Sequence, residues 1–318
     1  MAHKEVSVHQ DRGELERDER IKGRFKIAII LTGAIFFVEV VGGYLTNSLA
    51  LATDAAHVFM DFFALSVSLL AVYLSVMPPT TKKTYGWHRV EVFASFINGF
   101  LLILVSLVIF YKAYLRFLDP PEVKGLGVII VATAGLIINL YVAYQLHFDS
   151  KHDLNIKSAF LHVAGDAIAS VGVIISGIII LKTGLYVFDP IISAIIGAII
   201  IAGAIRVVRE SSHILLEGAP KGVDLTQVVE EIEEVRGVTG IHSLHLWTLC
   251  SNSYAFSAHI DTDAANRTRQ REILSAINDL LARKFNIHYT TLQMECMSCS
   301  GEELLRRIAH RDNGHHHH

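Results

Sequence analysis

Charged residues are scarce in this sequence: they make up 19% of its 318 positions, against roughly a quarter in soluble domains. Hydrophobic residues make up 52%, and this balance predicts a membrane protein with a soluble part. The net charge of −3 is small and gives no indication of nucleic-acid binding. The three cysteines, Cys250, Cys296 and Cys299, are too few for a disulfide framework. No cleavable signal peptide is expected, because the first residues are polar and charged.

The apolar residues are concentrated in six segments that are each long enough to cross a bilayer as a helix, which takes about 20 residues. Lys and Arg cluster before the first segment, after the second and fourth, and after the sixth. This positive-inside bias predicts that both termini are cytoplasmic. We expect the segments near 25–46, 50–76, 90–115, 124–146, 155–182 and 187–208.

From about residue 211 the composition is that of a small soluble domain. Its apolar periodicity predicts helices at 224–235 and 266–285, and strands at 239–249, 253–261 and 287–295. The order αββαβ predicts an α+β, ferredoxin-like domain with both helices on one face of a small sheet. The expected organisation is a cytoplasmic N-terminal tail (1–23), a six-helix transmembrane domain (24–210), a cytoplasmic domain (211–298) and a C-terminal tail (299–318). The final GHHHH is expected to be a remnant of an expression tag, with a native metal-binding tail as the alternative.

Three ionisable residues interrupt the second apolar segment, ALATDAAHVFMDFFALSVSLLAVYLS (50–75), at Asp54, His57 and Asp61. An uncompensated charge in hydrocarbon costs several kcal/mol. His57 and Asp61 are four residues apart, so both point to the same side of the helix. The fifth segment repeats this spacing in AFLHVAGDAIAS (159–170), at His162 and Asp166.

Both pairs lie at a similar predicted depth, near the middle of the bilayer. Two imidazoles and two carboxylates form a four-coordinate shell that suits Zn²⁺, and the two carboxylates balance its charge. The sequence therefore predicts an intramembrane metal site of His57, Asp61, His162 and Asp166. The alternative is that each polar residue makes a local hydrogen bond between helices.

Further intramembrane polar residues have less certain roles. Asp54 is a candidate proton relay or hydrogen-bond partner of a ligating imidazole, and an N-cap of the second helix is the alternative. Glu39 and Asn139 are interpreted as packing or gating contacts.

The sequence resembles the cation diffusion facilitator family, specifically its zinc-transporting branch. The resemblance spans nearly the whole chain and implies a homodimer of six-helix protomers with metallochaperone-like cytoplasmic domains. It also implies Zn²⁺ export by proton antiport, with the family's transport-site positions falling on the four intramembrane residues above. The motifs that carry it are NSLALATDAAHVFMD (47–61), YGWHRVEVFASFINGF (85–100), HVAGDAIASVGVI (162–174), DPIISAIIGAIII (189–201), LLEGAP (215–220) and IHSLHLWTL (241–249).

The fourth connection, LHFDSKHDLN (146–155), lacks the long His-rich loop of many relatives. This favours a bacterial plasma membrane over a eukaryotic vesicle. On the same resemblance, a second zinc site is expected between the two cytoplasmic domains. Strand alternation places His259 and Glu295 away from the apolar face, and Cys296 and Cys299 have the spacing of a zinc thiolate pair. The expected ligands are His242, His259, Glu295, Cys296 and Cys299; the alternative is a polar sheet surface with free thiols.

The expected function is therefore export of Zn²⁺, which is both cargo and a structural or regulatory ligand, in exchange for protons. Broader efflux of Cd²⁺, Co²⁺, Ni²⁺ or Fe²⁺ is the first alternative, because the ligand preferences of these ions overlap. A membrane-anchored zinc sensor is the second, although an anchor would need no ligands at mid-bilayer. An intramembrane metallohydrolase is excluded, because no His-Glu-x-x-His motif occurs and four protein ligands leave no open coordination position.

Overall fold

The structure is a computed structural model that describes residues 30–75, 77–147, 154–250, 253–263, 266–296 and 304–305. Its N-terminal part is helical, as the long apolar segments require in a membrane. The helices are α1 (Ile30–Thr46), α2 (Leu49–Ser75), α3 (Arg89–Leu118), α4 (Gly125–His147), α5 (Leu154–Thr183) and α6 (Phe188–Leu215).

Four helices in the described ranges are long and apolar enough to cross a membrane: Arg89–Leu118, Gly125–Gln145, Val163–Thr183 and Phe188–Leu215. Two shorter apolar helices of the described ranges, Ile30–Thr46 and Leu49–Met60, belong to α1 and α2. Helix α6 continues to Leu215, beyond the end at 208 expected from the apolar run alone. Its last residues include Arg206, Arg209 and Glu210, so the helix outlasts its apolar stretch.

Helices α4 and α5 pack closely because glycines face each other at their contact. A Cβ atom added at Gly125 would lie 2.9 Å from the carbonyl oxygen of Gly177, and one added at Gly177 would lie 2.8 Å from Ile129 Cγ1. Small residues allow membrane helices to approach in this way. The apolar core of this part of the chain includes Leu51, Val128, Ala132, Val173, Ile180, Ile196 and Ile200.

The C-terminal part is a small α+β unit, which confirms the fold class expected from the sequence. Its elements are α7 (Leu225–Glu233), β1 (Val238–Cys250), β2 (Ser253–Thr262), α8 (Arg267–Phe285) and β3 (Ile287–Cys296). The strands lie in the order β1-β2-β3, with β1 antiparallel and β3 parallel to the central β2.

Both helices of this unit begin after a residue whose side chain caps the N-terminus. Asp224 accepts a hydrogen bond from the Thr226 amide, and Asn266 accepts one from the Arg269 amide. The helices bury their apolar residues against one face of the sheet, where Val228, Ile232, Ile273, Ile277 and Leu281 meet Phe256, Ala258 and Ile260. The opposite face of β2 is left for Ser257, His259 and Asp261, because side chains alternate along a strand.

Candidate metal-binding sites

Helices α2 and α5 bring together one predicted metal ligand each. The Nε2 atom of His57 lies 3.6 Å from Oδ1 of Asp166, and both side chains are largely buried. Two ligands of a tetrahedral zinc ion with bonds of about 2.0 Å lie about 3.3 Å apart. The two atoms are therefore close enough to bind the same cation.

For the other two predicted ligands, Asp61 and His162, the structure gives the position along the helix but not the side chain. Asp61 lies one turn after His57 in α2, and His162 lies one turn before Asp166 in α5. Their side chains lie outside the part of the structure that is described. The set of four ligands therefore remains a prediction. Two of its members, His57 and Asp166, lie in contact between the helices.

Further carboxylates are buried close to this pair. Asp54 is 2% exposed and lies inside α2, which begins at Leu49, so the alternative that Asp54 caps the helix is wrong. Glu39 of α1 is 1% exposed and interacts electrostatically with Asp54 and Asp166. A Cβ added at Gly135 of α4 would lie 2.9 Å from Glu39 Oε1, so the glycine leaves room for this carboxylate. Ionisable groups buried among membrane-spanning helices are costly and usually mark a functional site.

The N-terminus of α2 is held by Asp189, the second residue of α6. Oδ1 of Asp189 accepts a hydrogen bond of 2.5 Å from the Ser48 hydroxyl, and Oδ2 accepts one of 2.6 Å from the Leu49 amide. The Ala50 amide donates to Oδ1 at 3.3 Å. A carboxylate at a helix N-terminus also interacts favourably with the helix dipole. No role was predicted for Asp189, because its partners lie about 140 residues away in the sequence.

Arg116, near the end of α3, connects the same region to the turn between α1 and α2. Its guanidinium donates hydrogen bonds to the carbonyl oxygen of Asn47 at 2.6 Å and to Oδ1 of Asn47 at 2.9 Å. It also lies 3.6 Å from Oδ2 of Asp189, which is 1% exposed. Asn47 has a φ of 56°, a left-handed conformation that asparagine tolerates better than most residues. These contacts join α3 and α6 to the N-terminus of α2.

We expect Asp189→Ala to lower the free energy of unfolding by about 2–4 kcal/mol, because it leaves three donors and the Arg116 cation without their acceptor in a buried place. Thermal or detergent denaturation of the purified protein would measure this loss. Asp119→Ala is a matched control, since Asp119 is an exposed carboxylate just after α3. Equal stabilities of the two variants would contradict the assigned role of Asp189.

In the C-terminal unit, three predicted ligands lie together on the open face of the sheet. Nδ1 of His259 lies 2.9 Å from Oε1 of Glu295, and Nε2 of His242 lies 3.3 Å from Oε2 of Glu295. One ligand atom from each of the three residues falls within 4.8 Å of the others. Each strand supplies one residue, so the sheet itself fixes the arrangement. These three side chains could hold a metal ion.

Asp261, for which no role was predicted, lies beside this cluster, with its Oδ1 3.7 Å from Nε2 of His242. Its signal was present, because Asp261 follows His259 by two positions and so shares its face of β2. A bulge between His242 and His245, with Ser243 at a φ of 50°, lets β1 turn His242 to the open face while Leu244 stays in the core. The side chain of Cys296 and the whole of Cys299 lie outside the described residues.

Comparison with known proteins gives matches along nearly the whole chain. Residues 25–216 match the family model of the cation efflux transmembrane domain, and residues 220–296 match that of the cation efflux protein cytoplasmic domain. The metal cation efflux system protein CzcD of Cupriavidus metallidurans is 39% identical over 274 residues, which cover 86% of this chain and 86% of that protein. A Bacillus subtilis protein named cadmium, cobalt and zinc/H⁺-K⁺ antiporter is 36% identical, covering 92% of this chain and 95% of that protein. The zinc transporter ZitB of Escherichia coli is 34% identical, covering 100% and 99%.

Proposed function

The chain belongs to the cation diffusion facilitator family, whose members are metal cation efflux transporters and not enzymes, and from this premise we propose that it exports Zn²⁺ in exchange for protons. It is an integral membrane protein. We place it in a bacterial plasma membrane with both termini in the cytoplasm. We also propose that two copies form a homodimer.

The observation that carries the proposal is the contact between His57 of α2 and Asp166 of α5. Each residue is half of a His-x-x-x-Asp pair, and the helices bring the two halves within 3.6 Å. With Asp61 and His162 as the remaining ligands, the shell has two nitrogens, two oxygens and a charge that balances one divalent ion. Such a shell suits Zn²⁺ at mid-bilayer without a permanent charge in the hydrocarbon.

The ligands explain how protons can drive the metal across. Imidazole and carboxylate bind a metal only when they are deprotonated, so protons arriving from outside compete for the same atoms and release the ion. After the bundle returns to face the cytoplasm, the protons leave and the site binds again. The name of the Bacillus subtilis relative includes proton antiport, which supports this scheme.

Asp54 and Glu39 are proposed to act beside the site and not as ligands. Both are buried carboxylates close to the His57–Asp166 pair. Asp54 precedes His57 by three residues on α2, so it lies near the same helix face and can orient the imidazole or pass a proton to it. Glu39 is a further buried carboxyl group beside Asp54 and Asp166.

Broader divalent-metal efflux is the second candidate. The Bacillus subtilis relative is named for cadmium and cobalt as well as zinc, and the same N/O ligand set binds several first-row metals. The membrane-anchored sensor receives no support from the His57–Asp166 contact, since a sensing domain needs no ligand pair between spanning helices. For the cytoplasmic domain we propose a second zinc site, with ligands among His242, His259, Glu295, Cys296 and Cys299.

Zinc uptake into proteoliposomes tests the proposed transport. Vesicles containing the purified protein and a zinc-sensitive dye inside should show dye signal within seconds to minutes after Zn²⁺ is added outside. Empty vesicles and vesicles with heat-inactivated protein are the controls. Uptake equal to that of empty vesicles would overturn the transport proposal and leave only binding. Parallel measurements with Cd²⁺, Co²⁺ and Mn²⁺ distinguish zinc export from broader efflux.

A further inference from the structure

A groove of about 870 Å³ lies between α1, α2 and α3, on the side of α2 that faces away from the proposed transport site. Its volume is within the range of ligand pockets, about 300–1,000 Å³. At 3.6 residues per turn, His57 and Asp61 point about 150–170° away from the side of α2 that lines the groove. That side consists of residues at helical spacing, namely Ala52, Ala55, Ala56 and Phe59. The groove is therefore separate from the metal ligands.

The groove runs along the helices for about the depth of one membrane leaflet. Its inner end is lined by Phe36 of α1 and Phe59 of α2, whose ring centroids lie 5.4 Å apart. Phe59 follows Leu49, the first residue of α2, by ten positions, and Phe36 precedes Thr46, the last residue of α1, by ten. At 1.5 Å per residue both rings lie about 15 Å from the turn between the helices. This is half of a hydrocarbon core of about 30 Å.

The other end of the groove is positively charged. Lys112 and Arg116 line it from α3, and they lie on the same side of that helix because they are one turn apart. Among the residues that the structure describes, the lining contains no carboxylate. Asp189 lies 3.6 Å from the Arg116 guanidinium and balances its charge, so the exposed ammonium of Lys112 leaves this end with net positive charge.

This end of the groove lies at the level of the lipid headgroups. Helix α3 has 30 residues and is about 45 Å long, which exceeds a hydrocarbon core of about 30 Å. Its last turns therefore extend into the headgroup region, and the long side chain of Lys112 can reach it as well. Tyr44, another residue of the lining, is an aromatic residue of the kind enriched at this interface. A basic end at headgroup level above an apolar groove of one leaflet's depth fits an anionic phospholipid.

We propose that the groove binds one anionic phospholipid, with an acyl chain along Ala52 and Phe59 and the headgroup phosphate at Lys112 and Arg116. Basic pockets between membrane helices bind anionic headgroups in this way, and the surrounding bilayer supplies the lipid. A groove for an acyl chain alone would need no cation. Two of the five guanidinium N–H donors of Arg116 bind Asn47, so others remain for a phosphate. The inference does not depend on which ion is transported.

Native mass spectrometry of the full-length protein with added phosphatidylglycerol or phosphatidylcholine tests the headgroup preference. The parent should bind phosphatidylglycerol at least about fivefold more tightly, since each basic residue near an anionic lipid contributes about that factor. Lys112→Ala should lose about this factor for phosphatidylglycerol and leave phosphatidylcholine unchanged. Arg116 is unsuitable for substitution, because it also holds Asn47.

Lys124→Ala is the matched control. Lys124 is an exposed lysine at the same end of the helices, where its backbone amide donates to the carbonyl oxygen of Thr46, and it lies outside the groove. Its substitution should leave the affinity for phosphatidylglycerol unchanged. Phosphatidylglycerol should also raise the melting temperature of the parent and of Lys124→Ala more than that of Lys112→Ala.

The apolar part of the groove is tested separately. Ala52→Leu adds bulk to an exposed side chain inside the groove and should weaken the binding of both lipids. Glycerol phosphate, which has the charge without an acyl chain, should not displace phosphatidylglycerol at equal concentration. Displacement by glycerol phosphate, or no effect of Ala52→Leu, would overturn the assignment of the groove to a whole lipid.

Three further results would contradict the proposal. Equal affinities of the parent for the two lipids would show that the basic end does not select a headgroup. Equal affinities of Lys112→Ala and Lys124→Ala for phosphatidylglycerol would place the lipid elsewhere. If Lys112→Ala changed the mass of the oligomer and left lipid binding unchanged, the groove would be an interface between copies of the chain.

Discussion

Proteoliposomes that contain the Asp166→Ala protein should take up no Zn²⁺ above the background of empty vesicles. The substitution removes the carboxylate that lies 3.6 Å from His57, and with it one charge of the pair that balances the ion. Loss of a group that only supports a ligand costs 10–100-fold in affinity or activity, so loss of a ligand should lower flux by at least about 100-fold. His57→Ala should have the same effect, because the two residues bind as a unit.

Ser170→Ala is the matched control for this experiment. Ser170 lies one turn further along α5 than Asp166, is also buried, and has no hydrogen-bond partner for its hydroxyl among the described residues. The Ser170→Ala protein should insert into the membrane, and its zinc flux should be within about twofold of the parent's. A buried hydroxyl without a partner contributes little to stability. Size-exclusion profiles show whether each variant is folded. Appreciable zinc uptake by well-folded Asp166→Ala vesicles would contradict the assigned transport site.

An acidic vesicle interior should drive Zn²⁺ into the vesicles against its own gradient. Each proton exchanged across one pH unit supplies about 1.36 kcal/mol, which is a factor of ten in the concentration ratio of the metal. Without a membrane potential, one exchanged proton therefore gives about tenfold accumulation per pH unit and two give about 100-fold. The slope of the logarithm of the accumulation ratio against the pH difference measures the stoichiometry.

The sign of this dependence identifies the coupling. Reversing the gradient should expel Zn²⁺ from loaded vesicles, because protons are then more concentrated outside, where they displace the ion from its ligands. An ionophore that collapses the pH difference should remove accumulation while leaving downhill flux. If accumulation were independent of the pH difference, the metal would still be transported and the proton-exchange part of the proposal would be wrong.

The sequence predicted the fold well because its signals are local. The strand and helix order of the C-terminal unit follows from apolar periodicity, and the observed bounds agree with the predicted ones within a few residues. The end of α6 at Leu215 was not predicted, since its last turns contain Arg209 and Glu210 and only hydropathy marked the segment. The helix continues through these residues, although they are not apolar enough to be recognised by hydropathy.

A contact between residues far apart in the sequence was predicted only where the same residue spacing occurs twice. The doubled His-x-x-x-Asp pattern suggested that α2 and α5 face each other, and His57 and Asp166 are in contact. No repeat links Asp189 to Ser48, and their hydrogen bond appears only once α2 and α6 are packed. Alternation along β2 places Asp261 on the same face as His259, but its pairing with Glu295 is set by strand register, which alternation along one strand does not determine.

The hydrogen bonds from the N-terminus of α2 to Asp189 also limit how this helix can move. His57 follows Leu49 by eight residues, so its Cα lies about 12 Å along the helix from the fixed end. Swinging α2 by about 10° around that fulcrum displaces His57 by about 2 Å, roughly ten times the error that a zinc bond tolerates. A slight tilt of α2 about its fixed N-terminus would therefore move His57 too far to bind the ion.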